Sequence, residues 1–102
     1  MALSDFQRQK YQNELPDWSM VDDKKIEREF KFKNFKEALA FVNQVGGIAE
    51  GMNHHPNIYL HGWNKVKLTL TTFATGGLSS NDFLEAKKIN ELFSADFKPV
   101  SK

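Results

Sequence analysis

Two stretches of regular alternation constrain this chain more than anything else in it. In "KKIEREFKFK", Ile26, Phe30 and Phe32 fall on one face, and Glu27, Glu29 and Lys31 on the other. In "NKVKLTLTT", Val66, Leu68 and Leu70 alternate with Lys67, Thr69 and Thr71. A period of two is that of a β-strand, and one apolar face beside one polar face is the pattern of an antiparallel sheet covered on one side only. Arg28 falls on the apolar face, where its long stem lets the charged head snorkel at the edge. The rest of the chain must supply the cover.

Three segments have the helical period. Ser4 and Asp5 suit an N-cap, and Phe6, Tyr11 and Leu15 lie roughly on one face of a short first helix that Pro16 ends. "DWSMVDD" reads as a brief strand or turn with Asp22-Asp23 as the bend. Asn34 caps a second helix with a wide apolar stripe of Phe35, Ala38, Leu39, Phe41, Val42 and Val45. Gly46-Gly47 normally stops a helix, yet "IAEGM" continues helix-like towards Met52. After Pro56 comes a strand "NIYLH", then a turn at Gly62 and the second alternating strand. Ser79 or Ser80 caps a last helix to about Phe93, with Phe83, Ala86, Ile89, Leu92 and Phe93 on its apolar side, and the tail from Asp96 is expected to fray. The order α-β-β-α-β-β-α predicts an α+β fold: a four-stranded antiparallel sheet with helices packed on one face. A chain of 102 residues is expected to form a single domain, residues 1–102.

Composition excludes several functions. Fourteen basic and thirteen acidic residues leave a net charge of +1, which provides no footprint for nucleic acid. The densest basic stretch, "KIEREFKFKNFK", is interrupted by glutamates and reads as a solvated, basic edge strand. With no cysteine, disulfides, thiolate metal sites and a cysteine nucleophile are impossible. No apolar run reaches the ~20 residues of a membrane helix, and the N-terminus has no leader pattern, so a soluble cytoplasmic protein is expected.

All three histidines lie within "EGMNHHPNIYLHGW". Zinc needs three or four ligands, but neighbours on extended backbone point to opposite faces, so His54 and His55 do not naturally share an ion, and no H-x-x-x-H spacing is present. Two other readings fit. An imidazole exchanges protons near neutral pH with little tuning, and Glu50, one helical turn before His54, is placed to orient its ring. Alternatively, the pair caps a helix end and bonds to backbone.

A longer window carries more information. Glu50, then His54-His55-Pro56, then Trp63, Asn64-Lys65-Val66, a Thr-rich strand, Gly77-Leu78-Ser79 and Asp82 together closely resemble the pterin-4a-carbinolamine dehydratases, also called dimerisation cofactors. The resemblance runs from "ELPDW" through "NKVKLTLTT" to "GGLSSNDFLEAKKI". It implies the same order of elements and a metal-free, cofactor-free enzyme that dehydrates 4a-hydroxytetrahydropterin to the quinonoid dihydropterin, in tetrahydrobiopterin recycling. It implies His54, His55 and Pro56 as pterin-binding, with both histidines moving protons and Glu50 orienting the pair. It adds Thr72, Phe73, Ala74 and Thr75 to the pocket, while Asp82 braces the last helix. At position 73 the family pattern carries a histidine or sometimes a tryptophan. Phenylalanine transfers no proton, so reduced activity is one expectation, and a non-catalytic interaction module (a transcriptional cofactor or assembly chaperone) is the alternative. A homodimer or homotetramer is expected, with a partner protein possible.

Overall fold

The computed structural model describes residues 4–72 and 76–97. Its elements follow the expected order: α1 (Asp5–Glu14), β1 (Ser19–Val21), β2 (Lys25–Lys31), α2 (Phe35–Met52), β3 (Asn57–His61), β4 (Lys65–Leu70) and α3 (Ser80–Asp96). The strands form one antiparallel sheet in the order β1-β2-β4-β3. Ile26 pairs with Leu70, Arg28 with Leu68 and Phe30 with Val66, so the inward residues of both alternating strands share one face. Val66, Leu68 and Leu70 are fully buried under the helices, as their alternation requires. Thr69, Lys67 and Lys65 line the opposite, helix-free face beside Asn57, Tyr59 and His61.

Both hairpins turn through left-handed residues. Asp22 and Asp23 have φ of 54° and 57°, and Gly62 and Trp63 have 56° and 58°. That hand matches the strand twist and joins β1 to β2 and β3 to β4 tightly. Buried Asn64 anchors the second turn, its Nδ2 donating to Phe32 O at 2.9 Å while Phe32 N donates back to Asn64 O at 2.8 Å.

The core is aromatic. Phe30, Phe32, Phe41, Phe93 and Phe97 pack with tilted or edge-on rings, for example Phe30 on Phe41 at 4.8 Å and Phe32 on Phe97 at 5.5 Å. Trp18 closes one end, and its indole N–H donates to Asn90 Oδ1 at 2.8 Å. Arg28 snorkels as expected: its guanidinium lies 4.3 Å from the Phe30 centroid and bonds the same Asn90 oxygen at 2.7 Å. Burial lowers its pKa, against the raising effect of Asp17.

Four expectations need correction. Phe6 is 78% exposed, because its five-residue step to Tyr11 turns it roughly 140° away at about 100° per residue. Tyr11 and Leu15, four apart, do face inward, and Tyr11 stacks on Phe83 at 4.8 Å. In α2 the buried stripe is Ala38, Phe41, Val45 and Ala49; Phe35 and Leu39 lie roughly a quarter-turn round and are exposed. The basic stretch is not an edge strand, since β2 lies between β1 and β4 and the edges are β1 and β3. Finally, α3 continues to Asp96, and Phe97 is buried rather than frayed because its ring completes the aromatic cluster.

Candidate functional site

The site lies where α2 ends, β4 ends and α3 begins. Helix α2 runs without a break through Gly46-Gly47 and stops at Asn53, which takes the left-handed conformation (φ 51°) while its N–H donates to Ala49 and Glu50 carbonyls. His54 N donates to Ala49 O at 3.0 Å, so the backbone before the two imidazoles is fixed by the helix end. The capping reading is therefore true of the His54 main chain, while its ring does something else.

That ring points inward. His54 Nε2 lies 2.5 Å from Asp82 Oδ1, with the His54 side chain 14% exposed and Asp82 fully buried. The other Asp82 oxygen, Oδ2, accepts from Thr72 Oγ1 at 2.8 Å and from Ser79 N at 2.9 Å. Thr72 and Gly77 exchange two backbone hydrogen bonds (3.0 and 3.1 Å), which holds the end of β4 against the approach to α3. Asp82 thus caps α3, as its place in the first turn predicts, and also holds the ring of a histidine 28 residues away.

His55 turns outward. Its Nε2 lies 2.5 Å from Glu50 Oε2, and both side chains are exposed. The expectation that Glu50 orients His54 is corrected: Glu50, on the outer surface at the end of α2, reaches the outward ring, and the inward one belongs to Asp82. His61 forms a third pair, with Glu29 Oε1 at 2.7 Å, and stacks on Tyr59 at 4.6 Å. Each histidine is therefore committed to a different carboxylate. Among the described residues no group of three or more potential metal ligands converges.

A recess of about 330 Å³ opens beside the pair, lined by His54, His55, Asn57, Thr69, Thr71 and Thr72 among others. It lies on the helix-free face of the sheet, and His61 is not part of its wall. Thr71 and Thr72 also line an adjoining recess of about 300 Å³ with Lys24, Lys25 and Gly77. The predicted pocket residue Thr72 is thus at the site. Phe73, Ala74 and Thr75 lie outside the described residues, and Pro56 follows the histidines without lining the recess.

Sequence reasoning missed two things. Asp82 was read only as a helix brace; the added signal is the Ser-x-x-Asp cap, which pulls that carboxylate inside. Glu85 was not singled out at all. It lies one turn beyond Asp82, is fully buried, and neither carboxylate oxygen has a hydrogen-bond partner among the described residues. Burial, partly opposed by His54, pushes its pKa from 4.5 up to about 7. Its signal is an inversion: Leu84 is 48% exposed while Glu85 is inside.

An imidazole held by a buried carboxylate at a recess can gain and lose protons in a fixed orientation, and a second imidazole–carboxylate pair stands at the rim. Fold and site therefore define a class, small α+β proteins with a histidine–carboxylate pair at a recess on an open sheet. The family model for pterin 4 alpha carbinolamine dehydratase matches residues 1–92, and the chain belongs to that family. A protein of Alkaliphilus metalliredigens carrying a provisional pterin-4-alpha-carbinolamine dehydratase name is 46% identical over 90 residues, covering 87% of this chain and 80% of its own length. The mitochondrial pterin-4-alpha-carbinolamine dehydratase 2 of Arabidopsis thaliana is 39% identical over 89% of this chain, which spans half of that protein. A crystal structure of a transcriptional coactivator/pterin dehydratase from Brucella melitensis superposes with a TM-score of 0.83 at 32% identity, covering 90% of this chain and 98% of that one. A pterin dehydratase-like RuBisCO assembly factor of the alpha-carboxysome shares the fold, with a TM-score of 0.63 at 20% identity and coverage of 74% of this chain and 88% of that one. No helix among the described residues is long and apolar enough to cross a membrane.

Proposed function

We propose that this protein dehydrates 4a-hydroxytetrahydropterin to the quinonoid dihydropterin, with His54 as the principal acid/base group and His55 as the second proton carrier. The observation that carries this reading is the 2.5 Å contact between His54 and buried Asp82 at the wall of the recess. Loss of the 4a-hydroxyl needs a proton on the departing oxygen, and the adjacent ring nitrogen must release one. His54, held by Asp82, donates a proton to the hydroxyl as the C4a–O bond breaks. His55, held by Glu50, takes the ring-nitrogen proton. One water leaves, His54 is one proton short and His55 one proton over, and solvent restores both. No metal or cofactor is required by these steps. Thr72 completes the wall, Phe73, Ala74 and Thr75 are proposed to contact the pterin, and Pro56 is proposed to act only by setting the backbone that presents the two histidines.

The test is the decay of freshly generated 4a-hydroxytetrahydropterin with and without the protein. The wild type is expected to accelerate it and His54→Ala to abolish the acceleration. Asp82→Asn is expected to lower kcat about 10²-fold or more, the size of a lost acid/base contribution. No acceleration by the wild type overturns the reading. Gain of activity only in Phe73→His would instead identify a protein that has kept the pocket and left catalysis for binding. This second reading, an interaction module on the same fold, is favoured by the phenylalanine at position 73.

A further inference from the structure

The recess beside His54 and His55 shares Thr71 and Thr72 with a second recess of about 300 Å³, whose other walls are Asp22, Lys24, Lys25, Gly76 and Gly77. The dehydration steps above use nothing in it. Its outer wall is the turn between β1 and β2, and that turn is held against the site. Lys24 N donates to Val21 O at 3.0 Å and closes the turn, while Thr71 Oγ1 donates to Lys24 O at 2.6 Å. Gly77, itself bonded to Thr72, lies so near that an added Cβ would stand 3.6 Å from Lys24 Cα. The main chain of Lys24 is thus fixed to the strand end that both recesses share, and Lys25 follows directly.

The side chains on this wall are uncommitted. Lys24 and Lys25 are exposed, and neither takes part in an ion pair among the described residues. Asp22 stands on the same wall, so two positive charges face one negative. The threonine hydroxyl protons are already used, that of Thr71 on Lys24 O and that of Thr72 on Asp82 Oδ2. Charge is therefore what this recess has left with which to tell one ligand from another. Each recess by itself stands at the lower end of the size of ligand sites, roughly 300 Å³, which suits a ring in one and its substituent in the other.

We propose that the second recess is a subsite for an oxyanion, phosphate or carboxylate, carried on the C6 substituent of the pterin, with Lys24 and Lys25 as its cationic groups. The assignment of the ring rests on the dehydratase reading. C6 is joined to C4a through N5 alone, so a ring that presents C4a to His54 and His55 sends its C6 substituent out along the adjoining edge. A tail ending in an anion meets the two ammonium groups there, and a neutral tail meets them without that attraction.

The experiment measures, by calorimetry on the full chain, the affinity for three 7,8-dihydropterins that differ only in the C6 tail: a hydroxyalkyl group, its phosphate monoester and a carboxylate-ended chain. The wild type, Lys24→Gln, Lys25→Gln and the double variant are compared at low and at physiological salt. In the wild type at low salt the phosphate tail is expected to bind about 10-fold tighter than the neutral one. Either single variant is expected to shrink that ratio, the double variant to bring it close to one, and salt to reduce it in the wild type. A carboxylate tail that gains as much as the phosphate identifies a general anion subsite, and a smaller gain identifies a preference for phosphate. Equal affinities for all three tails in the wild type, or a preference that survives in the double variant, overturn the proposal. The dehydration assay on the matching 4a-hydroxytetrahydropterins separates the two readings. If the tails are discriminated but no form of the protein accelerates dehydration, the subsite stands and the dehydratase reading falls. If dehydration is accelerated and the tails are not discriminated, the reverse holds.

Discussion

At position 85 a carboxylate occupies a place that the helical pattern reserves for an apolar side chain, and the consequence for stability can be worked out with its sign. The folded chain holds the Glu85 proton up to about pH 7, whereas an ordinary glutamate releases it near 4.5. Between those values the unfolded state has lost a proton that the native state keeps, so stability falls as pH rises and stays reduced above about 7. The loss is on the order of a few kcal/mol at most. Glu85→Leu is therefore expected to stabilise the protein more at pH 8 than at pH 5 in urea denaturation, and an equal gain at both would show that the carboxyl does not titrate inside. His54 and Asp82 illustrate the same scale from the functional side. The residue types were legible, since a histidine pair before a proline and an aspartate in a first helical turn are both visible in the chain. Their partnership was not, because it joins residues 28 apart whose contact depends on where two helices meet.

Among the elements, the strands were the most legible, since burial on one face leaves a period-two record in the sequence. Helix α2 was harder. Its apolar residues form two stripes, and only the one through Phe41 and Val45 meets the core. Nothing local distinguishes it from the stripe of Phe35 and Leu39. The glycine pair inside α2 is tolerated because the buried stripe on either side holds the helix to the sheet, although each glycine loses more backbone entropy than alanine. Gly47 is exposed, and an added Cβ there meets nothing within 4 Å. Gly47→Ala is expected to raise stability by about 0.5–1 kcal/mol. An unchanged or lowered Tm would mean that this turn of α2 is not helical in solution.

For the molecule as a whole, the decisive feature is the strand order β1-β2-β4-β3, which puts β3 at an edge with Ile58 and Tyr59 exposed. An edge of this kind, left open by the described residues, offers N–H and C=O groups to another strand. Self-association through β3 into dimers or larger assemblies is the expected outcome, and Ile58→Lys is expected to shift sedimentation towards the monomer. A wild type that sediments as a monomer at all concentrations excludes it. The strand order also explains why the basic stretch was misread as an edge: composition suggests a solvated face but says nothing about which neighbours a strand acquires. By itself the sequence determined the order of elements and the buried side of β2 and β4, because these are set by local periodicity. Only the tertiary structure decided that Asp82 holds His54, that Glu50 holds His55 and that Glu85 is shut inside. Those pairings depend on how α2, α3 and the end of β4 pack together, and packing between elements distant in the chain leaves no period to read.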